Sequence, residues 1–171
     1  MKRKIVLAII CFFSVLFLYS CGSVRAYLSE QEFTECLFRK TEDSYGELKG
    51  IAIGKTERGF AVTEYRVSSS VMFDCEKDPS TEELREVRLR LLKNEQTDTS
   101  FQAFRYYALY IIKSHDEDLD ISQINDIYDR LTLAGDAPAE TYTVKNKSVT
   151  YSYFQTENEI NFTATYFSEQ K

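Results

Sequence analysis

Apolar residues alternate with polar ones in two separate stretches of this chain. In the first stretch the alternating positions are Ile51, Ile53, Ala61, Thr63, Tyr65, Val67, Val71, Phe73 and Cys75. In the second they are Tyr142, Val144, Val149, Tyr151, Tyr153, Ile160, Phe162, Ala164 and Tyr166. A period of two is typical of β-strands with one buried face, and short turn segments separate the runs. The sequence therefore predicts two groups of three antiparallel strands.

Four helices are predicted around these strands. Ser29 followed by Glu32 is a capping-box pattern, which predicts a helix that runs to about Lys40. The same pattern at Ser80 and Glu83 predicts a second helix. The apolar stripe of this second helix is Leu84, Val87, Leu91 and Leu92.

The last two predicted helices follow in the middle of the chain. Thr99 with Gln102 predicts the start of the third helix, and Ile121 to Ala134 forms the fourth, which Gly135 ends. The inward positions of the third are Phe101, Phe104, Ala108, Ile111 and Ile112, and its rim is Tyr106, Tyr107 and Tyr110. The inward positions of the fourth are Ile124, Ile127, Tyr128 and Leu131.

The order helix, three strands, three helices, three strands contains no strand–helix–strand repeat. This order favours the α+β class, with about four helices packed against an antiparallel sheet. Residues 29–171 are long enough for one such domain. Whether the two strand groups join in one sheet is left open by the pattern.

The amino end of the chain is a cationic start, an apolar run and a cysteine. The uncharged run Ile5 to Tyr19 has the length of a signal-peptide core and is shorter than the roughly twenty residues that cross a bilayer. The segment Leu18-Tyr19-Ser20-Cys21 resembles the lipobox of bacterial lipoprotein precursors, with Tyr19 where a small residue is usual. The resemblance implies cleavage before Cys21, a diacylglyceryl group on its sulfur and an acylated amino end, with palmitate as an acyl group.

On this interpretation residues 1–20 are a signal peptide and residues 21–28 a lipidated tether. The resemblance also implies the periplasmic face of the outer membrane, because Gly22 stands where many inner-membrane lipoproteins have a retention aspartate. A cut after Ala26 by ordinary signal peptidase would instead release a secreted protein. An uncleaved anchor is a third alternative, disfavoured by the short apolar run.

The charge of the mature domain limits its partners. Lys2, Arg3 and Lys4 are the charged residues of the signal peptide, so the formal charge of −6 becomes −9 after cleavage. Because nucleic acid requires clusters of Lys and Arg, the sequence predicts no nucleic-acid partner. The membrane is then reached through the lipid anchor. A negative surface suits a basic protein partner, and solubility alone also explains it.

Two cysteines remain in the mature domain besides Cys21. Cys36 and Cys75 are predicted to form a disulfide, because paired cysteines outside the cytoplasm are usually oxidised. The bridge would stabilise the fold by roughly 3–4 kcal/mol on the chain-entropy model. The alternative is two buried thiols that pack as small apolar residues.

Candidate sites are few. Asp116, Asp118 and Asp120 have the spacing with which a calcium loop begins, but the glycine and the final glutamate of that loop are absent. The alternative is an acidic connection in which Asp120 caps the next helix. His115 is the only histidine, which argues against a histidine metal site or a catalytic triad.

Tyrosines on the last strands form a candidate binding face. Tyr142, Tyr151 and Tyr153 share one side of the meander, where their rings would suit a peptide, sugar or protein. The alternative is that these rings cover a half-buried sheet. We predict a small non-enzymatic envelope lipoprotein without a cofactor that binds a protein or another ligand, in its sharper form an inhibitor or immunity protein for a basic partner. The rivals are an envelope-polymer hydrolase with an Asp/Glu pair and a structural component of an envelope complex.

Overall fold

A computed structural model of the protein describes residues 28–41, 50–115 and 119–166. Their elements, in chain order, are α1 (Glu30–Thr41), β1 (Gly50–Lys55), β2 (Ala61–Arg66), β3 (Val71–Lys77), β4 (Leu84–Leu92), a 3-10 turn (Lys93–Glu95), α2 (Asp98–His115), α3 (Ile121–Arg130), β5 (Tyr142–Asn146), β6 (Val149–Gln155) and β7 (Glu159–Tyr166). The strands form a single antiparallel sheet of seven in the order β1-β2-β3-β4-β7-β6-β5. The α+β class is confirmed. Within these residues, however, there is one sheet instead of two groups, and three helices instead of four.

Strand β4 is the largest departure from the sequence prediction, which assigned a helix to this segment. Glu76 pairs with Glu86 whereas Lys77 pairs with Leu84, so β4 contains a β-bulge. The extra residue, Arg85, turns Leu84 to the same side as the buried side chains of the rest of the strand. Apolar residues at 84, 87 and 91 then have spacings of three and four, which imitate a helix.

The supposed helix cap before β4 is a turn. The Asp78 carboxylate accepts hydrogen bonds from the Ser80 amide at 2.8 Å and from the Ser80 hydroxyl at 2.6 Å. Glu82 follows with a left-handed φ of 58°, which ends the turn. Ser80 therefore belongs to a β3–β4 connection, and the predicted helix at Ser80 and Glu83 is wrong.

Strand β4 unites the two predicted strand groups. It pairs with β3 on one side, where Phe73 lies opposite Leu89, and with β7 on the other, where Leu89 lies opposite Phe162. The meander of β5, β6 and β7 is confirmed. Because the sequence pattern predicts a helix for β4, it could not show how the groups meet.

The helix caps are partly as predicted. The Ser29 amide donates to Glu32 Oε2 at 3.0 Å and the Glu32 amide donates to Ser29 Oγ at 3.1 Å, which confirms the capping box of α1. Helix α2 begins two residues earlier than predicted, because Thr97 and not Thr99 provides its cap. The Ser100 amide donates to Thr97 Oγ1 at 3.1 Å.

The helices and one face of the sheet enclose the core. Its largest fully buried side chains are Tyr107, Tyr151, Tyr153, Phe33, Phe73, Phe104, Phe162, Leu37, Leu84, Leu89, Leu91 and Ile111. Tyr107, predicted for the rim of α2, is instead 1% exposed. Of the other two rim tyrosines, Tyr106 is exposed and Tyr110 is half-buried. The opposite face of the sheet carries polar and charged side chains.

Candidate functional site

The outer face of the sheet, meaning the strand side chains that point away from the helices, places charged residues side by side. Its register across β2, β3, β4 and β7 gives three rows: Val62, Glu76, Glu86 and Thr165; Glu64, Asp74, Arg88 and Thr163; Arg66, Met72, Arg90 and Asn161. Directly opposed residues on neighbouring antiparallel strands have Cβ atoms about 5 Å apart. The rows therefore bring together residues that are up to about a hundred positions apart in the sequence.

A cavity lies over the first two rows. It has a volume of about 520 Å³, within the range of small-ligand sites. Its lining is Thr56, Glu57, Arg58, Val62, Asp74, Glu76, Glu86 and Arg88. The turn between β1 and β2 forms one wall, closed by a 2.9 Å hydrogen bond from the Gly59 amide to the Thr56 carbonyl. Gly59 has a φ of 83°, a conformation that glycine adopts without strain.

Two glutamates lie opposite each other in this cavity. Glu76 is buried, and that burial, followed by the negative charge of Glu86, raises its pKa although the Arg58 guanidinium acts in the other direction. Arg58 Nη2 lies 2.6 Å from Glu76 Oε1, and Arg88 Nη2 lies 2.8 Å from Glu86 Oε1. The Thr165 hydroxyl also donates to Glu86 at 3.2 Å. Each glutamate therefore has its own arginine.

Arg90 ties the neighbouring rows together. Its guanidinium reaches Glu64 at 2.8 Å, Asp74 at 2.9 Å and Glu159 at 3.2 Å, so one side chain of β4 contacts β2, β3 and β7. The pKa of Asp74 is raised by burial, even though Arg90 lowers it. Asp74, which lines the cavity, is thereby linked through Arg90 to strands β2 and β7.

The charge balance of the cavity determines what it can accept. Four carboxylates (Glu57, Asp74, Glu76, Glu86) and two guanidinium groups (Arg58, Arg88) line it, so the lining has a formal charge of −2, of which Arg90 behind the lining offsets the part that Asp74 contributes. Such a site favours a cation over an anion. A carboxyl group with a raised pKa beside a second carboxylate is also the arrangement of acid and base catalysts. Across the described ranges, no group of three or more His, Cys, Asp or Glu side chains is arranged so that it could hold a metal ion.

The tyrosines predicted as a binding face lie in the core. Tyr142 pairs with Tyr153 and Val144 pairs with Tyr151, so the three rings do share one side of the meander. That side is the one covered by the helices: Tyr151 and Tyr153 are fully buried, and Tyr153 packs 6.1 Å from Phe104 between ring centroids. Tyr142 is half-buried at the margin.

The acidic connection before α3 contributes a helix cap. Asp120 Oδ1 accepts a 2.8 Å hydrogen bond from the Gln123 amide, and the Gln123 side chain accepts one from the Asp120 amide, as the alternative interpretation predicted. Asp116 and Asp118, like the lipidation candidate Cys21, lie outside the residues that the structure describes.

His115 is half-buried at the edge of the core, where its ring contacts α1 and β7. Its ring lies 5.0 Å from Phe33 and 5.1 Å from Tyr166 between ring centroids, and its Nδ1 is 2.6 Å from the Ile111 carbonyl oxygen. Burial lowers the pKa of His115 to about 4, against the effect of the Ile111 carbonyl. His115 is therefore neutral at neutral pH and lies on the face of the sheet opposite the cavity.

Cys36 and Cys75 are present as buried thiols. Phe33 contacts Phe73 and Glu30 contacts Lys77, so α1 packs along β3, the strand that carries Cys75. The predicted disulfide stays a prediction.

The cavity residues were missed by sequence reasoning because the strand β4, which carries Glu86 and Arg88, has a helix-like apolar pattern. Residues 86 to 91 do alternate between charged and apolar side chains, and this alternation was the signal that could have identified the strand. No protein-family model matches the chain, and no similar curated protein or solved structure was found. Of the helices described, none is long and apolar enough to span a bilayer.

Proposed function

We propose that this chain is a lipid-anchored protein of the bacterial cell envelope that binds a basic protein partner through the cavity on the outer face of its sheet. The observation that supports this function is the formal charge of −2 in a cavity of ligand-binding size. The pairing of Glu76 and Glu86 each with an arginine supports binding over catalysis, because neither carboxylate is left without a cationic partner. An inhibitor or immunity protein is the sharper form of the proposal.

The mature domain has the properties that such a partner would require. Its charge of −9 after removal of residues 1–20 would steer a basic partner toward it, and association would be faster at low salt. The ion pairs that link Asp74 through Arg90 to β2 and β7 would reduce the cost of ordering this wall of the cavity on binding.

The anchoring part of the proposal is tested by the intact mass of the protein purified from bacterial membranes. We expect a chain that begins at Cys21 and carries acyl groups. A chain that begins at Tyr27 and is recovered from the soluble fraction would mean secretion instead. The same measurement, made without reductant, shows whether Cys36 and Cys75 have lost two hydrogen atoms.

The binding part is tested by crosslinking in living cells, with a photoreactive residue at position 57 on the cavity rim. We expect one stoichiometric partner with a basic surface, and we expect Glu76→Gln combined with Glu86→Gln to abolish the crosslink. The same photoreactive residue at position 126, on α3, is the control for nonspecific crosslinking. Absence of a discrete product at position 57 would contradict the proposal.

A hydrolase of envelope polymers is the second candidate, and the Glu76–Glu86 pair favours it. Glu76 with its raised pKa would act as the acid, and Glu86 would act as the base or nucleophile. Turnover of peptidoglycan fragments or of a glycan panel by the purified protein, lost in both Glu76→Gln and Glu86→Gln, would establish this function and overturn the binding role.

A further inference from the structure

We propose that the cavity holds one lysine or arginine side chain of the protein partner, and that Arg58 occupies the position of that cation in the unbound protein. The inference rests on the proposed function and specifies the contact on the partner. The occupant is a cationic side chain because the outer face offers it charge complementarity at a defined depression.

The opposed glutamates create the need for a cation. Glu76 and Glu86 are a directly paired cross-strand couple, and their side chains are only 9% and 12% exposed. Like charges that face each other on neighbouring strands destabilise a sheet unless a cation lies between them. Arg58 and Arg88 reach the pair from the two sides, from the β1–β2 turn and from β4.

Arg58 is the cation that a partner can replace. Its side chain is 56% exposed and reaches Glu76 from a turn, whereas Arg88 extends from the central strand β4. The Arg58 guanidinium is exposed while Glu76 is buried, so an incoming cation can reach the pair from solvent and leave the Glu76 carboxylate with a cationic partner.

The aromatic ring beneath Arg58 permits this exchange. Arg58 and Arg85 both lie over Phe60, at 5.5 Å and 5.6 Å from the ring centroid. When Arg58 leaves, the ring therefore keeps a guanidinium group, and the wall of the cavity keeps its packing. The displaced Arg58 side chain can extend into solvent.

The Arg58→Ala variant tests the inference, because a competing cation and a ligand-binding cation would change peptide affinity in opposite directions when removed. The probe is a tetralysine peptide with blocked ends, titrated calorimetrically into the purified protein at low salt. Arg58→Ala should tighten binding at least about threefold, and Glu76→Gln and Glu86→Gln should each weaken it by a similar factor. Urea unfolding of Arg58→Ala checks that the variant is folded, so that a gain of affinity reports the loss of the competing cation.

Matched variants on α3 control for overall charge. Arg130 is 58% exposed and pairs with Asp126 at 3.5 Å, so Arg130→Ala and Asp126→Asn make the same charge changes away from the cavity. We expect little change in affinity from either. Equal effects from the α3 and cavity variants, or weaker binding in Arg58→Ala, would overturn the inference. Saturable binding of a blocked tetraglutamate peptide that is lost in Arg58→Ala would identify an anion site instead.

The inference and the proposed function can fail separately. If a partner crosslinks at position 57 and the crosslink is unchanged by the Glu76 and Glu86 substitutions, the cavity assignment fails while a binding role stands. If no partner is found and the affinity for the tetralysine peptide still changes in the predicted directions, the cavity chemistry stands while the proposed function fails.

Discussion

The Tyr65 hydroxyl donates a 2.7 Å hydrogen bond to Glu30 Oε1 and so joins strand β2 to the first residue of helix α1. Lys77 Nζ reaches the other oxygen of Glu30 at 2.9 Å, from strand β3. Glu30 is buried. The pKa of Tyr65 is raised first by the burial of Tyr65 and then by the hydrogen bond that Tyr65 donates to Glu30. The tyrosine therefore stays a neutral donor over the whole physiological range of pH. This cluster fixes α1 on the sheet.

Tyr65→Phe should lower the free energy of unfolding by about 1–2 kcal/mol, because it leaves one oxygen of a buried carboxylate without its donor. Urea unfolding at pH 7 measures the change. Tyr142→Phe, at a half-buried ring of strand β5, is the matched control and should change stability by less than about 0.5 kcal/mol. Equal losses in the two variants would show that the Tyr65–Glu30 bond contributes nothing specific.

His115 should make the protein sensitive to mild acid. Its pKa is about 4 in the folded protein, against 6.5 for an unperturbed histidine, so the unfolded chain binds the proton more readily. The free energy of unfolding therefore has its full value above pH 6.5, where His115 is neutral in both states. It falls as the pH decreases toward 4, by up to about 3 kcal/mol, because the unfolded chain takes up the proton first. His115→Phe keeps a ring between Phe33 and Tyr166 and removes the titration.

The measurement is urea unfolding of both proteins between pH 7.5 and pH 4. As the pH falls through 6.5, the free energy of unfolding of the wild type should decrease relative to that of His115→Phe. Carboxyl groups titrate in the same range, but they are shared by both proteins and cancel in the difference. A difference that is constant with pH would mean that His115 is already hydrated in the folded protein.

Two of the predicted strands, β3 and β7, have uninterrupted alternation, whereas β1 contains a bulge between Ala52 and Gly54 that leaves the predicted inward residue Ile53 53% exposed. In β3 and β7 a period of two runs through buried positions from Val71 to Cys75 and from Ile160 to Tyr166. Strand β4 was missed because its bulge at Arg85 breaks the period at the point where Ser80 and Glu83 suggest a helix cap. Local patterns cannot distinguish a bulged strand from a short helix, since both give spacings of three and four.

The cavity could not be predicted from the sequence because its members meet only through strand pairing. Glu76 and Glu86 are ten residues apart, and Arg58 belongs to another hairpin, so no motif connects them. Tyr151 and Tyr153 do lie on the same side of the meander, as predicted. The prediction that this side is open for binding was wrong, because the helices cover it. Periodicity shows that a strand has two faces, and only the helix packing decides which face is buried.

Leu89→Ala should test the central place of β4. Leu89 is fully buried between Phe73 and Phe162, and the substitution should lower the free energy of unfolding by about 2–4 kcal/mol. Leu92→Ala removes the same atoms from a half-buried position on the outer face and should cost less than about 1.5 kcal/mol. If residues 84 to 92 formed the predicted helix, Leu92 would lie on its apolar stripe and Leu89 would not, so the order would be reversed.

Glu76→Gln should stabilise the protein at neutral pH. Because burial and Glu86 raise the pKa of Glu76 in the folded state, the protonated form favours folding, and this stability is lost as the pH rises through the folded-state pKa. Glutamine removes the negative charge from this buried position opposite Glu86, and we expect a gain of about 0.5–1 kcal/mol. Glu57→Gln, on the exposed turn of the same cavity, should leave stability unchanged. A loss of stability in Glu76→Gln would mean that the ion pair with Arg58 outweighs the cost of burial, and Arg58 would then be too firmly held to yield its place to a partner.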